Sequence, residues 1–139
     1  MKYNPYFLFD GKAEEATYLY AKAFNGETQI MKYKDAPPNP SFQMPEEMKE
    51  LVMHSEVRFG DMVFMICDGT PMQPAKIGNN VQVSFTFDDK ESFQKVYDVL
   101  SEGGNIAVAP ESNFFAEYYA LFEDKFGVTW QFIVPKPMQ

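Results

Sequence analysis

The stretch MHSEVRFG, residues 53–60, contains the only histidine of this 139-residue chain. His54, Glu56 and Arg58 occupy every second position of it, and alternate residues of a β-strand point to the same face. The spacing therefore predicts an imidazole, a carboxylate and a guanidinium in a row on one face of a sheet.

The sequence leaves three interpretations of this row open. His54 and Glu56 could form a general acid–base pair, because a neighbouring carboxylate stabilises a protonated imidazole. His54 could instead donate a hydrogen bond to an anionic or carbonyl-bearing ligand, with Arg58 nearby. In the third interpretation Glu56 and Arg58 neutralise one another as a structural pair. A metal site made by His54 and Glu56 alone would be weak, since no second histidine and no cysteine is predicted on that face.

Composition narrows the class of protein. Hydrophobic residues make up 45% and aromatic residues 17% of the chain, which predicts a folded domain with a substantial core. The net charge of −8 and the scattered basic residues argue against binding to nucleic acid. No apolar run has the length of a membrane span, and the N-terminus does not resemble a signal peptide. The single cysteine, Cys67, predicts a reduced, cytoplasmic setting.

Two segments of the chain resemble each other, residues 7–27 and residues 85–105. At a shift of 78 positions, phenylalanines, an aspartate, a lysine and a glycine coincide, and each copy predicts a strand, a turn, a helix and a glycine stop. We expect Gly26 and Gly103-Gly104 to end the helices in the left-handed conformation.

The later parts of the two halves also correspond. Residues 55–67 and 122–134 each predict a hairpin, with Gly60 and Gly127 aligned in the turns at a shift of 67. With the short strands that follow the helices, each half is predicted as βαβββ. The sequence thus predicts one α+β domain over residues 1–139, with modules at about 1–68 and 81–135 joined by a linker at about 69–80.

Strand alternation predicts an apolar face under each helix and a mixed face opposite. Cys67 is assigned to the apolar face as a core residue. The mixed face is either simply solvated or a concave ligand site. Its predicted members are Asn4, Tyr6, His54, Glu56, Arg58, Phe64, Gln82, Ser84, Thr86, Thr129 and Gln131.

Four segments, FDGKAEEATYLYAKAFNG, KYKDAPP, VMHSEVRFGD and FEDKFGVTWQF, together resemble the vicinal oxygen chelate superfamily. This group contains glyoxalases, bleomycin-resistance proteins and extradiol dioxygenases, and the chain resembles its PhnB-like branch, often labelled demethylubiquinone methyltransferase-like. The resemblance implies a glyoxalase-like cupped mixed sheet and a homodimer. It also implies that metal ligands, where used, come from the first and fourth strands of each module, which correspond here to Asn4, Phe64, Gln82 and Gln131.

That ligand set departs from the metal-using pattern. Three carboxamides and a phenyl ring offer neither charge nor soft donors to a divalent metal, and a one-residue slip would replace Phe64 by Met65. We therefore predict no cofactor and disfavour a divalent metal. No glycine-rich loop for S-adenosylmethionine follows a strand, so methyl transfer is not expected.

Three hypotheses remain, and the simplest is a structural dimer whose pocket is filled by its own Phe and Tyr side chains. The other two assign a ligand to the protein. In the first, the protein binds a small organic molecule without reacting it. The lining residues would be Tyr6, His54, Glu56, Arg58, Gln82, Ser84 and Gln131. In the second, it is a lyase, isomerase or dioxygenase that uses an atypical metal or His54 and Glu56 as acid and base. The aromatic residues Phe114, Phe115, Tyr118 and Tyr119 could floor a pocket, form a dimer contact or pack in the core.

Overall fold

The computed structural model describes residues 1–137, which divide into two compact units, residues 1–76 and the residues from Ile77 onward. Each unit contains one helix and four strands in the order βαβββ, and the strands form a mixed sheet. The predicted α+β fold with two repeated modules is therefore confirmed. Neither helix within residues 1–137 is long and apolar enough to cross a membrane.

The first unit has a sheet in the order β1-β4-β3-β2, in which β1 is parallel to β4 and the other pairs are antiparallel. Two short 3-10 turns, Tyr33–Asp35 and Glu46–Met48, lie in the loop between β2 and β3. The elements are β1 (Tyr6–Phe9), α1 (Ala13–Phe24), β2 (Glu27–Lys32), β3 (Val52–Phe59) and β4 (Met62–Asp68).

The second unit repeats this topology with the sheet order β5-β8-β7-β6, and β5 is again parallel to β8. The repeat seen in the sequence is thus a repeat of connectivity as well as of residue types. The elements are β5 (Val83–Thr86), α2 (Lys90–Leu100), β6 (Asn105–Glu111), β7 (Ala116–Glu123) and β8 (Thr129–Pro135).

The core of the first unit is aromatic. Phe7, Tyr20 and Phe64 pack edge to face, with ring centroids 5.4 to 6.0 Å apart, a geometry that the ring quadrupoles favour. The small residues Ala13 and Ala16 of α1 let the helix approach the sheet. Phe93 and Phe132 make the same kind of contact between α2 and β8 in the second unit.

Phe64 is only 1% exposed, so its assignment to the mixed face is wrong. Along β4 the buried residues are Phe64, Ile66 and Asp68, and the opposite face carries Met65 and Cys67. The assignment of Cys67 to the apolar face is therefore also wrong. Since almost every residue of MVFMIC is apolar, alternation of polarity could not set the phase of this strand.

The two hairpin turns differ in length, which explains the error. In the first unit Phe59 pairs with Met62, so only two residues form the turn. In the second unit Glu123 pairs with Thr129, so the turn has five residues, 124–128. When the two turn glycines are aligned, β4 is therefore matched to β8 one position out of step. A shift of one position assigns every side chain of a strand to the opposite face of the sheet.

The helix ends correct one further prediction. Asn25, not Gly26, takes the left-handed conformation after α1, with φ 54°. Gly26 is needed for a different reason, because a Cβ there would lie 2.7 Å from Val57 Cγ1 and 3.0 Å from the carbonyl oxygen of Arg58. In the second unit Gly103 has φ 76°, as expected for a helix stop.

A buried carboxylate, Asp68, joins three elements of the first unit. One of its oxygens accepts a hydrogen bond from the backbone N–H of Ala13 at the start of α1, and the other accepts from Val52 at the start of β3, both at 2.9 Å. The side chain is 4% exposed. Asp68 thus fixes the end of β4 against the helix and the central strand.

We predict that Asp68→Ala lowers the free energy of unfolding markedly. The substitution leaves two buried N–H groups without acceptors, at about 1–3 kcal/mol for each unpaired group. Urea unfolding followed by circular dichroism measures the change. Asp10→Ala, which removes an exposed aspartate from the same unit, is the control and should stay within about 0.5 kcal/mol of the wild type. Equal stability of the two variants would contradict the assigned role of Asp68.

Candidate functional site

The exposed side of the first sheet brings together four of the predicted site residues with two that were not predicted there. We call this surface the polar face. Met65 of β4 pairs with Tyr6 of β1 on one side and with Glu56 of β3 on the other, so the three side chains share one side of the sheet. The members of the polar face are Tyr6, His54, Glu56, Arg58, Met65 and Cys67.

Glu56 is the most enclosed charge of the polar face, with a side chain 14% exposed. Its Oε2 accepts a hydrogen bond from His54 Nε2 at 3.0 Å, and its Oε1 accepts from Arg58 Nη2 at 2.5 Å. The hydrogen bond from His54, followed by the bond and charge of Arg58, lowers the pKa of the Glu56 carboxyl from its ordinary value of 4.5. Glu56 is therefore ionised at neutral pH, and it fixes the side chains of both neighbours.

The second nitrogen of His54 extends this row to Tyr6. Because a carboxylate can only accept, His54 Nε2 carries the proton in the neutral ring, and Nδ1 is free to accept from the Tyr6 hydroxyl, 3.3 Å away. The Cys67 thiol lies close enough to the Tyr6 hydroxyl to influence its pKa. Glu56, His54 and Tyr6 thus form a continuous hydrogen-bonded chain, and Cys67 lies beside its Tyr6 end.

Tyr6 and Cys67 both favour their protonated forms. Burial and the nearby Cys67 and Tyr33 side chains raise the pKa of Tyr6 to about 12. Burial also raises the pKa of the Cys67 thiol, against a smaller opposite effect of Tyr6. At neutral pH the two side chains are therefore a phenol and a thiol, and neither group is an anionic nucleophile.

The other three predicted site residues, Gln82, Ser84 and Gln131, lie in the second unit, and the two glutamines belong to an uncharged hydrogen-bonded network. We call this network the amide chain. The hydroxyl of Tyr119 donates to Gln131 Oε1 at 2.9 Å, and Gln131 Nε2 donates to Gln82 Oε1 at 2.6 Å. Gln82 Nε2 in turn donates to the carbonyl oxygen of Asn79 at 3.2 Å. Ser84 pairs with Gln131 across β5 and β8 and is exposed.

The aromatic segment at the β6–β7 turn is divided between two environments. Phe114 is 89% exposed, and its ring packs edge to face on Phe115. Tyr118 instead packs against Phe93 of α2, and its hydroxyl donates to Gln94. Of these four aromatic residues, Tyr118 thus packs against the helix and Tyr119 belongs to the amide chain.

Comparison with known proteins identifies the family. The family model described as 3-demethylubiquinone-9 3-methyltransferase matches residues 1–133. The chain belongs to this family. It is 25% identical to protein PA1353 from Pseudomonas aeruginosa over 99% of both chains, with a TM-score of 0.86. It is 24% identical to the PhnB protein from Bacillus cereus over 96% of this chain and 99% of that one, with a TM-score of 0.77.

A curated relative and a more distant structure agree with this result. Protein YjdN of Escherichia coli is 27% identical over 98% of this chain and 97% of YjdN. The fosfomycin resistance protein FosX from Listeria monocytogenes shares the fold with a TM-score of 0.60 at 8% identity, over 98% of this chain and 93% of FosX. The chain is a PhnB-like member of the vicinal oxygen chelate superfamily, as its sequence predicted.

The positions that hold metal in other members of the superfamily do not fit a divalent ion here. Asn4 lies before β1, and Gln82 lies before β5 and is bonded to Gln131. On the fourth strand of the first unit, Met65 occupies the ligand position that the sequence assigned to Phe64. Met65 pairs with Tyr6 of β1 in the same way as Gln131 pairs with Ser84 of β5. Within residues 1–137, no three His, Cys, Asp or Glu side chains are grouped so that they could hold a metal ion. A thioether is a poor ligand for a hard divalent ion, and the neutral carboxamides supply no negative charge to hold one.

We predict that Glu56 makes the fold sensitive to acid. A carboxyl whose pKa is lower in the folded protein stabilises the fold above its unfolded pKa, and this contribution is lost as the pH falls through the folded value. The difference in unfolding free energy between the wild type and Glu56→Gln should therefore be largest near neutral pH and shrink below about pH 4.5, the ordinary value. Urea unfolding at several pH values measures it.

Glu102→Gln, an exposed position beyond α2, is the matched control. Its difference from the wild type should not follow the pattern of Glu56→Gln. A pH-independent difference for Glu56→Gln would show that the contacts with His54 and Arg58 contribute nothing to stability.

Proposed function

We propose that this protein binds a small organic molecule on the polar face and that this binding needs no divalent metal. The supporting observation is the Glu56 carboxylate, which is held between His54 and Arg58 on a face otherwise covered by Tyr6 and Met65. Polar groups fixed by their neighbours, set among apolar side chains, are typical of ligand sites.

The free hydrogen-bonding capacity of the polar face indicates the class of ligand. A guanidinium has five N–H donors, and the bond to Glu56 uses one of them, while the Arg58 side chain is 59% exposed. The Tyr6 hydroxyl and the edge of His54 add further polar groups beside it. A carboxylate or carbonyl oxygen of a ligand would find donors here, and its apolar body would lie on Tyr6 and Met65.

The chemistry of the relatives agrees with a small-molecule ligand. FosX is named for resistance to fosfomycin, a small organic molecule, and it has the same fold. The family description names a methyl transfer instead. We do not include that reaction, because the turns after β1 (Asp10-Gly11-Lys12) and β5 (Phe87-Asp88-Asp89) contain a single glycine between them. A glycine-rich turn is the usual means by which a strand–helix junction approaches a nucleotide cofactor.

One contact favours a second candidate function, acid–base catalysis without metal. The continuous chain from Glu56 through His54 to Tyr6 could move a proton between the imidazole and a ligand oxygen that replaces Tyr6. The two candidates differ in the fate of the ligand. A binding protein releases it with unchanged mass, whereas a catalyst releases a product that survives treatment with a chelator.

The test is a screen of small aromatic carboxylates and ketones by thermal shift. Hits are mapped by amide NMR shifts and titrated against His54→Ala and Arg58→Ala. We expect shifts on β1, β3 and β4, and affinity lower by roughly tenfold to a hundredfold in each variant, since a hydrogen bond to a charged group contributes about 1.5–3 kcal/mol. Lys95→Ala on the exposed side of α2 is the control and should bind as the wild type does. Unchanged affinity in both site variants would show that the polar face is not the site.

A further inference from the structure

Asn25 and Gly26, at the end of α1, are the only asparagine–glycine pair of the chain. The backbone nitrogen of the residue after an asparagine can attack the side-chain amide carbon and close a five-membered succinimide ring. Glycine hinders this attack least, because it has no Cβ and the widest choice of backbone torsions. Asn25 is exposed to water. The pair therefore has the residue types and the access to solvent that deamidation requires.

The backbone geometry of the folded chain opposes this reaction. The Gly26 N–H, whose nitrogen would be the nucleophile, donates a hydrogen bond to the Ala21 carbonyl oxygen at 2.9 Å. Asn25 has φ 54° and ψ 49°. Ring closure needs the Gly26 nitrogen on the same side of the Cα–C bond of Asn25 as Cβ, and at this ψ the nitrogen lies nearly opposite. The hydrogen bond must therefore break and ψ must rotate far before the ring can form.

Packing against β3 prevents that rotation while the junction between α1 and β2 is closed. A Cβ at Gly26 would lie 2.7 Å from Val57 Cγ1 and 3.0 Å from the Arg58 carbonyl oxygen, so the Gly26 backbone lies close against β3. The next residue, Glu27, begins β2 and pairs with Arg58. A large change in ψ of Asn25 would carry Gly26 and Glu27 away from these contacts. The start of β2 must therefore separate from β3 before Asn25 can react.

We propose that Asn25 is a modification site that the fold keeps closed and that reacts when the junction between α1 and β2 opens. The Gly26 nitrogen loses its proton to hydroxide and bonds to Asn25 Cγ, and the side-chain nitrogen leaves as ammonia. Water then breaks one of the two C–N bonds of the ring and leaves aspartate or isoaspartate at position 25. The reaction consumes one water, releases one ammonia and changes no oxidation state.

The product does not fit the closed junction. In isoaspartate the main chain passes through Cβ and Cγ, which adds one atom to a connection held between the end of α1 and β3. Both products also place a carboxylate at the C-terminus of α1, where the helix dipole is negative. Reaction at Asn25 therefore weakens the first unit irreversibly. This consequence does not depend on the organic ligand proposed above.

The test incubates the full chain in mildly alkaline buffer, with and without denaturing urea, and follows position 25 by peptide mass mapping. In urea, aspartate and isoaspartate should both accumulate there. In the folded chain the rate should be lower by roughly tenfold or more, because the reaction must wait for local opening.

Val57→Ala tests whether packing closes the site. The substitution removes the methyl groups that lie against Gly26, so the rate in buffer should rise several-fold while the rate in urea stays at the wild-type value. Val134→Ala removes a buried valine of the second unit and is the matched control for a general loss of stability. It should raise the rate in buffer less than Val57→Ala does.

The incubated protein tests the consequence. Chains with isoaspartate at position 25, separated by ion exchange, should have a lower Tm than unmodified chains of the same batch. Asn25→Gly takes the left-handed conformation without a reactive amide, and its Tm should not change during the same incubation. Equal rates with and without urea, no reaction at position 25 in urea, or an equal rise in both valine variants would overturn the proposal. So would an isoaspartate form that keeps the Tm of the unmodified chain.

Discussion

The parallel pairing of β1 with β4 is the constraint on which the rest of the first unit depends. The two strands are far apart in the chain, and their register sets Tyr6 against Met65. This register directs Phe64 and Ile66 into the core under α1 and places Met65 and Cys67 on the opposite side. A shift of one residue would exchange the two sets, burying a thiol and exposing a phenyl ring. The aromatic cluster around Phe64 stabilises the observed register, because the ring would lose its partners Phe7 and Tyr20.

The second unit shows what the same scaffold does with different side chains. Ser84 and Gln131 occupy the paired positions that Tyr6 and Met65 occupy in the first unit. Carboxamides and hydroxyls there satisfy one another without a net charge. The first unit instead has an ionised carboxylate, a guanidinium and an imidazole on its exposed face. Repetition of the fold therefore supplies two similar surfaces, and different side chains occupy their matching positions.

The polar face also shows why enclosure matters for its chemistry. Glu56 is much less exposed than Arg58, so the attraction between the two charges is less screened than in the other ion pairs of the surface. The ion pairs of Lys34 and Lys49 lie in solvent and stabilise little. An ionised Glu56 in turn holds the tautomer of His54, and the tautomer decides which nitrogen meets Tyr6. Each group of the row thus depends on the one that precedes it.

Local patterns in the sequence were enough to predict the fold class, the superfamily and part of the candidate site. Turn glycines, helix stripes and the internal repeat predicted two βαβββ modules, and the motifs predicted the superfamily, both of which the structure and the comparisons confirm. The alternation of His54, Glu56 and Arg58 placed these three on one face, because polar and apolar residues alternate along β3. Such patterns need only neighbouring residues, so a single sequence contains them.

Tertiary structure alone decided which side chains share the site with these three. Because the β4 segment MVFMIC is apolar throughout, either set of its alternate residues could face the core. Only the pairing with β1 decides which set does so. The two-residue and five-residue turns of the hairpins have glycines that look equivalent in sequence, yet they shift β4 by one position relative to β8. The sequence therefore offered Met65 only as a one-residue slip and assigned Cys67 to the wrong face, since register between strands distant in sequence arises from packing of the whole sheet and not from any local pattern.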